Sequence, residues 1–382
     1  TTVLDAQITT LIATVVLYEI GSTVVKGFAL TLMIGIVISI FTAVIITQIF
    51  VGLLANSKKL SLNAILGIPK DRESKTFADV KLKLLEKRKI FYVISASVII
   101  IGLVFGIVRG YNYGIDFTGG TMLEFDMGKK TSSQEIEKAL DKYDLDPQIV
   151  FSGEKGDRVV IKTIKALENK ERSKIVNTMK EEFNLKDESV LASEQFGPTI
   201  GKELKTNAVK SIAFAAVGML IYIIFRFKSW KYGVSSIVGV LHDVLVMLAF
   251  YAIFGVTINN PFIAGILTVV GYSINDTIVI FDRIRENRHF YRKKPLIDVL
   301  NFSVAQTLDR SIVTSLTTIV CMIPLFIMVS ASIREFVLPL MIGVIVGTYS
   351  SIFLCSPLLY EFAKNEDKST YVTKHKKTKE KK

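Results

Sequence analysis

Long apolar runs recur along this chain, each close to the ~20 residues that a helix needs to cross a hydrocarbon core of roughly 30 Å. Length and flanking charge predict spans at roughly 3–20, 24–47, 90–108, 207–226, 233–254, 261–281, 311–330 and 335–360. Half of the 382 residues are hydrophobic, which predicts a polytopic α-helical membrane protein with the lipid bilayer as its first partner. The formal charge of +12 gathers in the links and the tail rather than in the runs. It reads as membrane topology, and no nucleic-acid partner is expected.

Orientation follows from Lys and Arg in the links. Lys58, Lys59, Lys70, Lys81, Lys83, Lys87, Arg88 and Lys89 follow the second run, and Arg283, Arg285, Arg288, Arg292, Lys293 and Lys294 precede the seventh. With the RFKSWK turn and the KHKKTKEKK tail, these fall on one side, predicted to be the cytoplasm. The turns EIGST, TINNP and SASIRE carry little positive charge and face the other way. The predicted division is two spans in 1–54, a basic cytoplasmic linker at 55–88, a span at 89–109, an external domain at 110–205, five spans in 206–361 and a basic tail at 362–382.

The external stretch is long, polar and periodic, which marks a domain rather than a loop. TMLEFDM, PQIVFSG, RVVIKT and SVLASEQF read as strands, and SSQEIEKALDKY (with a serine cap) and KALENKERSKIVNTMKEEF as helices. The order βαββαβ predicts an α+β ferredoxin-like domain of about 75–85 residues. Both cysteines, Cys321 and Cys355, lie in apolar runs, so the domain has no disulfide framework or cysteine metal site.

Sliding the chain by 308 positions lays the first two spans on the last two without a gap. Thr9-Thr10 then meets Thr317-Thr318, Phe28 meets Phe336, and Leu32-Met33-Ile34-Gly35 meets Leu340-Met341-Ile342-Gly343. Internal duplication is the expected origin. The second copy closes a unit of six spans and the first shows only a final two. Four spans before Thr1, where no methionine or signal peptide stands, are therefore expected, and with them a pseudo-symmetric fold of about twelve spans.

Ionisable groups inside a bilayer cost roughly 2.5–3.5 kcal/mol each and need a reason. Asp276 lies in FIAGILTVVGYSINDTIVIF, Asp243 in the fifth span beside His242, Arg310 in TLDRSIVTSLTT and Asp5 in TTVLDAQITT. A carboxylate shielded from water holds its proton more firmly, and a nearby guanidinium opposes this. Such groups can couple proton entry to a conformational change, or only fix helix register. Gly265, Gly271, Ser273 and Asn275 lie on the Asp276 helix, and Thr314, Ser315, Thr317 and Thr318 on the Arg310 helix. These residues permit close approach or offer polar groups to a path. GIDFTGGT, with Gly119 and Gly120, reads as a tight turn at the domain base or a close backbone approach, and GPTIGKEL, with Gly197 and Pro198, as the matching re-entry turn, with a hinge as the alternative. DRIREN at 282–287 reads as the solvated start of a cytoplasmic helix, with contact to lipid headgroups or a partner channel as the alternative.

Taken in order and spacing, YNYGIDFTGGT, FGPTIGKEL, LHDVLVM, GYSINDTIVIFDRIREN and TLDRSIVTSLTT resemble the pattern of SecF. LDAQITTLIA and VKGFALTLMIGIVISIFTA resemble the last two spans of SecD. The chain is thus similar to the SecD and SecF family of bacterial protein-export membrane proteins, except that Gln7 stands where SecD usually carries Asn. The resemblance implies a fold of the resistance–nodulation–division type and a place in the bacterial cytoplasmic (inner) membrane beside the Sec translocon channel. It further implies use of the proton-motive force to draw unfolded preproteins outward, and the lack here of the N-terminal part of SecD with its own key Asp. Asp276 and Arg310 match the family's proton-path residues, and Asp5 the acidic residue of the fifth SecD span. An exporter of lipids or hydrophobic small molecules and a passive translocon-assembly subunit are the alternatives. No enzyme, cofactor or metal is expected, since the chain shows no metal-ligand cluster, nucleophile–base pair or nucleotide loop.

Overall fold

The computed structural model describes residues 2–21, 23–55, 83–152, 156–329 and 331–365. Most of the basic linker and of the tail expected from the sequence lies outside the described residues. Helix α1 (Thr2–Ile20) is followed by α2 (Thr23–Ile40), which passes through a π-helical turn, Phe41–Ile46, into α3 (Thr47–Ala55). A 3-10 turn at Leu85–Lys87 leads into α4 (Arg88–Val108). After the soluble domain come α8 (Pro198–Phe227), α9 (Trp230–Phe254), α10 (Asn260–Phe290), α11 (Leu296–Met328) and α12 (Ala331–Ser350). A second π turn, Ser351–Cys355, carries α12 into a final helical stretch.

Seven helical segments among the described residues are long and apolar enough to cross a membrane. They match the expected spans except the first, which corresponds to the 19-residue α1. The apolar windows understate the helices. Helix α8 begins at Pro198, so GPTIGKEL is its first turns rather than a turn of its own. Proline suits that position because its fixed φ is already helical and its missing N–H would be unpaired there anyway. Gly197 is the extended N-cap. DRIREN likewise continues α10, and α11 starts well before the expected seventh span.

The soluble domain follows the expected element order: β1 (Gly120–Asp126), α6 (Ser133–Leu140), β2 (Gln148–Ser152), β3 (Arg158–Thr163), α7 (Asn169–Phe183) and β4 (Val190–Phe196). A short helix, α5 (Ile115–Thr118), precedes β1. The sheet order is β2-β3-β1-β4 and every pair is antiparallel. Leu123 and Phe125 face Ile161 and Val159 across the β1–β3 ladder. Ile136 and Leu140 of α6 and Ile175 and Met179 of α7 close over them in one core. Ser132 caps α6 in a reciprocal capping box with Glu135, which supplies two of the four unpaired N–H partners at a helix start.

Helix α10 is the axis of the membrane part. Packed against it are α1, α12, α11 and α9. Small residues set these approaches: an added Cβ at Gly271 would touch Thr10 of α1, and one at Gly265 would meet Pro339 of α12. Without water to drive association, van der Waals contact between close backbones is what holds such helices together. The rings of Phe28 and Phe336, which the 308-residue offset superposes, meet with centroids 4.4 Å apart.

Candidate functional site

Helix α10 brings the ionisable residues together in tiers. In the first tier Asp243 of α9 is completely buried. It accepts hydrogen bonds from Ser273 Oγ of α10 at 2.6 Å and Ser350 Oγ of α12 at 2.9 Å. His242 Nδ1 lies 3.0 Å from its other oxygen. Two hydroxyl donors and an imidazole nitrogen, from three elements, satisfy this carboxyl group, so it also ties α9, α10 and α12 in register. His242 Nε2 is buried with no hydrogen-bond partner, and its ring stacks beside Tyr349.

One helical turn along, the second tier has the opposite character. Asp276 is 6% exposed, and its Oδ2 has no hydrogen-bond partner. Asn275 Oδ1 and Ser311 Oγ are buried and unpartnered as well. Arg310 of α11 acts on Asp276 through space, but no ion pair within 4.0 Å joins the two among the described residues. Instead the exposed Arg310 lines a cavity with Arg283, Glu286, Gln306 and Thr307. An unpartnered carboxylate oxygen in a low-dielectric setting is costly as an anion, and it can take a proton.

Asp5 belongs to a third tier, at the end of α10 far from the soluble domain. Its carboxylate accepts from Tyr222 Oη at 2.8 Å and Arg226 Nε at 2.7 Å, both on α8. Arg226 also lies 3.8 Å from Asp282 of α10, which pairs at 2.7 Å with Arg285. Thus α1, α8 and α10 are pinned by one alternating charge network. The sequence reading counted Arg226 only as topogenic charge in RFKSWK and did not single out Tyr222. Their spacing of four residues at the end of an apolar helix was the available signal, since it places both on one face.

The supporting residues divide between these tiers. Ser273 serves Asp243, and its carbonyl accepts from Ser351 Oγ. Ser315 pairs with Thr348 of α12 at 2.5 Å, and Thr318 with Tyr272 of α10 at 3.0 Å. Thr314 and Thr317 bond to carbonyls of their own helix, so they soften that helix more than they bridge to a neighbour. Gly119 and Gly120 stand between α5 and β1, both with positive φ. Among the described residues no group of three or more His, Cys, Asp or Glu side chains is placed to hold a metal.

Residues 175–365 match the family model described as "Protein export membrane protein SecD/SecF, C-terminal", and residues 98–130 match the "SecD/SecF GG Motif". The chain is 34% identical over 374 residues to the protein translocase subunit SecDF of Bacillus subtilis, covering 94% of this chain and 50% of that protein. It is 39% identical over 284 residues to the protein translocase subunit SecF of Sebaldella termitidis, covering 73% of this chain and 91% of that one. It resembles the crystal structure of SecDF, a translocon-associated membrane protein, from Thermus thermophilus with a TM-score of 0.80 at 31% identity, over 95% of this chain and 48% of that one. The chain therefore spans about half the length of the SecDF proteins it matches and nearly all of the SecF. It belongs to the SecD/SecF family of protein-export membrane proteins.

Proposed function

We propose that this chain works in an accessory subunit of the Sec translocase that uses the proton-motive force to promote preprotein export. The observation that carries the reading is Asp276: a buried carboxylate with one unpartnered oxygen, on the most enclosed helix, with a free-standing Arg310 in electrostatic range. Gaining a proton removes the buried charge and its attraction to Arg310, so α10 and α11 repack, and losing it reverses the change. Asp243 and Asp5, both fully hydrogen-bonded, hold the frame within which that change occurs.

The remaining parts of the reading follow from the same features. The antiparallel β2-β3-β1-β4 sheet under two helices is a ferredoxin-like domain. With α1 counted, the chain has eight spans and contributes a two-plus-six portion of a pseudo-symmetric fold of about twelve, the rest being the N-terminal part of SecD. The excess of Lys and Arg on the side away from the domain puts the domain outside the bacterial inner membrane. There it would meet unfolded preprotein as it leaves the Sec translocon channel. No catalytic chemistry is assigned.

The test is preprotein translocation into proteoliposomes holding the full-length protein and its channel. Asp276→Asn and Arg310→Ala are each expected to remove the proton-dependent part of transport while the complex still assembles. Transport that keeps its full response to a proton gradient in both variants overturns the reading. Failure to assemble would point instead to a passive subunit.

A further inference from the structure

The segment that leaves α4 and enters the soluble domain is bonded to the α9–α10 turn and to the first residue of α10. Asn112 O accepts from Ile258 N at 2.7 Å, and Gly114 N donates to Ile258 O at 2.8 Å. Asn112 Nδ2 donates to Gly255 O and to Thr257 Oγ1. Asp116, in α5, then accepts from Asn260 N at 2.9 Å. This N–H belongs to the first helical residue of α10 and has no partner within its own helix. A carboxylate there also meets the positive end of the helix dipole.

A second contact comes from the other side. Asn259 caps α10 by accepting from Phe262 N at 3.1 Å, and its amide donates to Glu335 Oε2 of α12 at 2.7 Å. The same Glu335 oxygen lies 3.6 Å from Nζ of Lys162, on strand β3 of the soluble domain. Lys162 and Glu335 have side chains only 19% and 20% exposed, so the pair is not a loose surface contact of the kind worth almost nothing.

Between these contacts the chain has little freedom. Gly119 has φ 80° and Gly120 φ 148°, and a Cβ at Gly120 would strike Thr163 O of β3. On the other flank a Cβ at Gly201 of α8 would press on Phe117 O. Asp116 is thus four residues from the first residue of the sheet, joined to it through two glycines that only this backbone path allows. Asp276 sits on the same unbroken helix as Asn260, ~24 Å further along.

We propose that Asp116 and Glu335 are positioning residues that clamp the soluble domain to the N-terminus of α10, so that a movement of the helix bearing Asp276 is delivered to the sheet. Asp116 holds the helix end to the base of β1, and Glu335 holds the helix cap to β3. Two attachments fix tilt as well as distance, which one could not do. The coupling to Asp276 rests on the proton-driven reading above; the clamp itself does not.

Pulsed EPR distances read both in the full-length protein in lipid nanodiscs. Labels go on Glu137→Cys of α6 and Phe254→Cys of α9, both exposed, in a Cys321→Ser background. One narrow distance is expected without further change, and Asp276→Asn is expected to shift it. Asp116→Asn with Glu335→Gln is expected to broaden the distribution by about twofold and to abolish that shift, as coupling through a shared two-state element requires. Lys162→Gln, which leaves both carboxylates in place, is expected to give a smaller broadening. Unchanged hydrogen exchange in β1 and β3 verifies that the domain itself stays folded. A width that does not change in the double variant overturns the clamp, and so does an Asp276→Asn shift that survives in it. If Asp276→Asn produces no shift in the otherwise unsubstituted protein, the proton-driven reading fails while the width still decides the clamp.

Discussion

The two ends of the membrane part, α1–α2 and α11–α12, carry the same sequence pattern at an offset of 308 residues and use it differently. Gly35 and Gly343 end the same Leu-Met-Ile-Gly string, yet an added Cβ at Gly35 meets nothing within 4 Å, whereas one at Gly343 runs into Val269 of α10. Thr42 and Ser350 are one offset apart as well. Thr42 bonds back to Ile38 O and Ser39 O of its own helix, while Ser350 reaches across to Asp243. In α2 the described helices bring nothing within 4 Å of a Cβ at Gly35 and leave Thr42 bonded only to its own helix, and Ile34, Val37, Ile38 and Phe41 are exposed. The π turns support the relation: Phe41–Ile46 shifted by 308 covers 349–354, against the observed Ser351–Cys355.

Charge separates the copies most sharply, and the largest predicted effect is there. Asp5 of the first copy corresponds to the exposed Val313 of the second, and Arg310 of the second to Thr2 of the first. Asp5 is 7% exposed and depends on Arg226, whereas Arg310 has no ion pair within 4.0 Å among the described residues. Arg226→Ala should therefore destabilise the protein by about 3 kcal/mol, the low end for leaving a buried charge unpaired. Arg310→Ala should change stability by less than about 0.5 kcal/mol even as transport is lost. Denaturation of each variant in mixed micelles measures this, and equal costs would remove the distinction between a frame charge and a working one.

Much of this arrangement was legible in the sequence because it is local or periodic. Apolar runs gave the spans, alternation gave the strands of the soluble domain, and a serine cap marked the start of its first long helix. The 308-residue offset is legible too, and the rings of Phe28 and Phe336, which it superposes, meet in the structure. Long-range pairing was not. Arg226 lies 221 residues from Asp5, and Lys162 lies on a strand that nothing local relates to Glu335. Helix ends such as Pro198 and Leu296 were missed because a helix can continue in water after its apolar window stops. Asp276 was singled out from its setting alone, but that its Oδ2 lacks a partner while Asp243 has three depends on which helix faces which.

Packing gives the second test. Gly343→Ala should cost about 1–3 kcal/mol, as overpacking of a close contact does, because Val269 is in the way. Gly35→Ala should be neutral or stabilising by up to about 1 kcal/mol, since a helix-interior glycine is replaced in open space. Equal destabilisation at both positions would mean that Gly35 is covered as closely as Gly343.

The smallest effect concerns the hydroxyls. Ser350→Ala removes one of three hydrogen bonds to a fully buried carboxyl group, and the expected loss is about 1 kcal/mol, typical of one hydrogen bond whose acceptor keeps its other partners. Thr42→Ala removes only back-bonds to its own helix, which contribute little and can bend it, so a change below about 0.5 kcal/mol is expected. The same denaturation series measures both. Because Ser273 and His242 would still hold Asp243 after Ser350→Ala, a cost far above that of one bond would show that the three partners act cooperatively. The Asp243 tier would then be one unit joining α9, α10 and α12, and only the Asp276 tier beside it would be left free to change state.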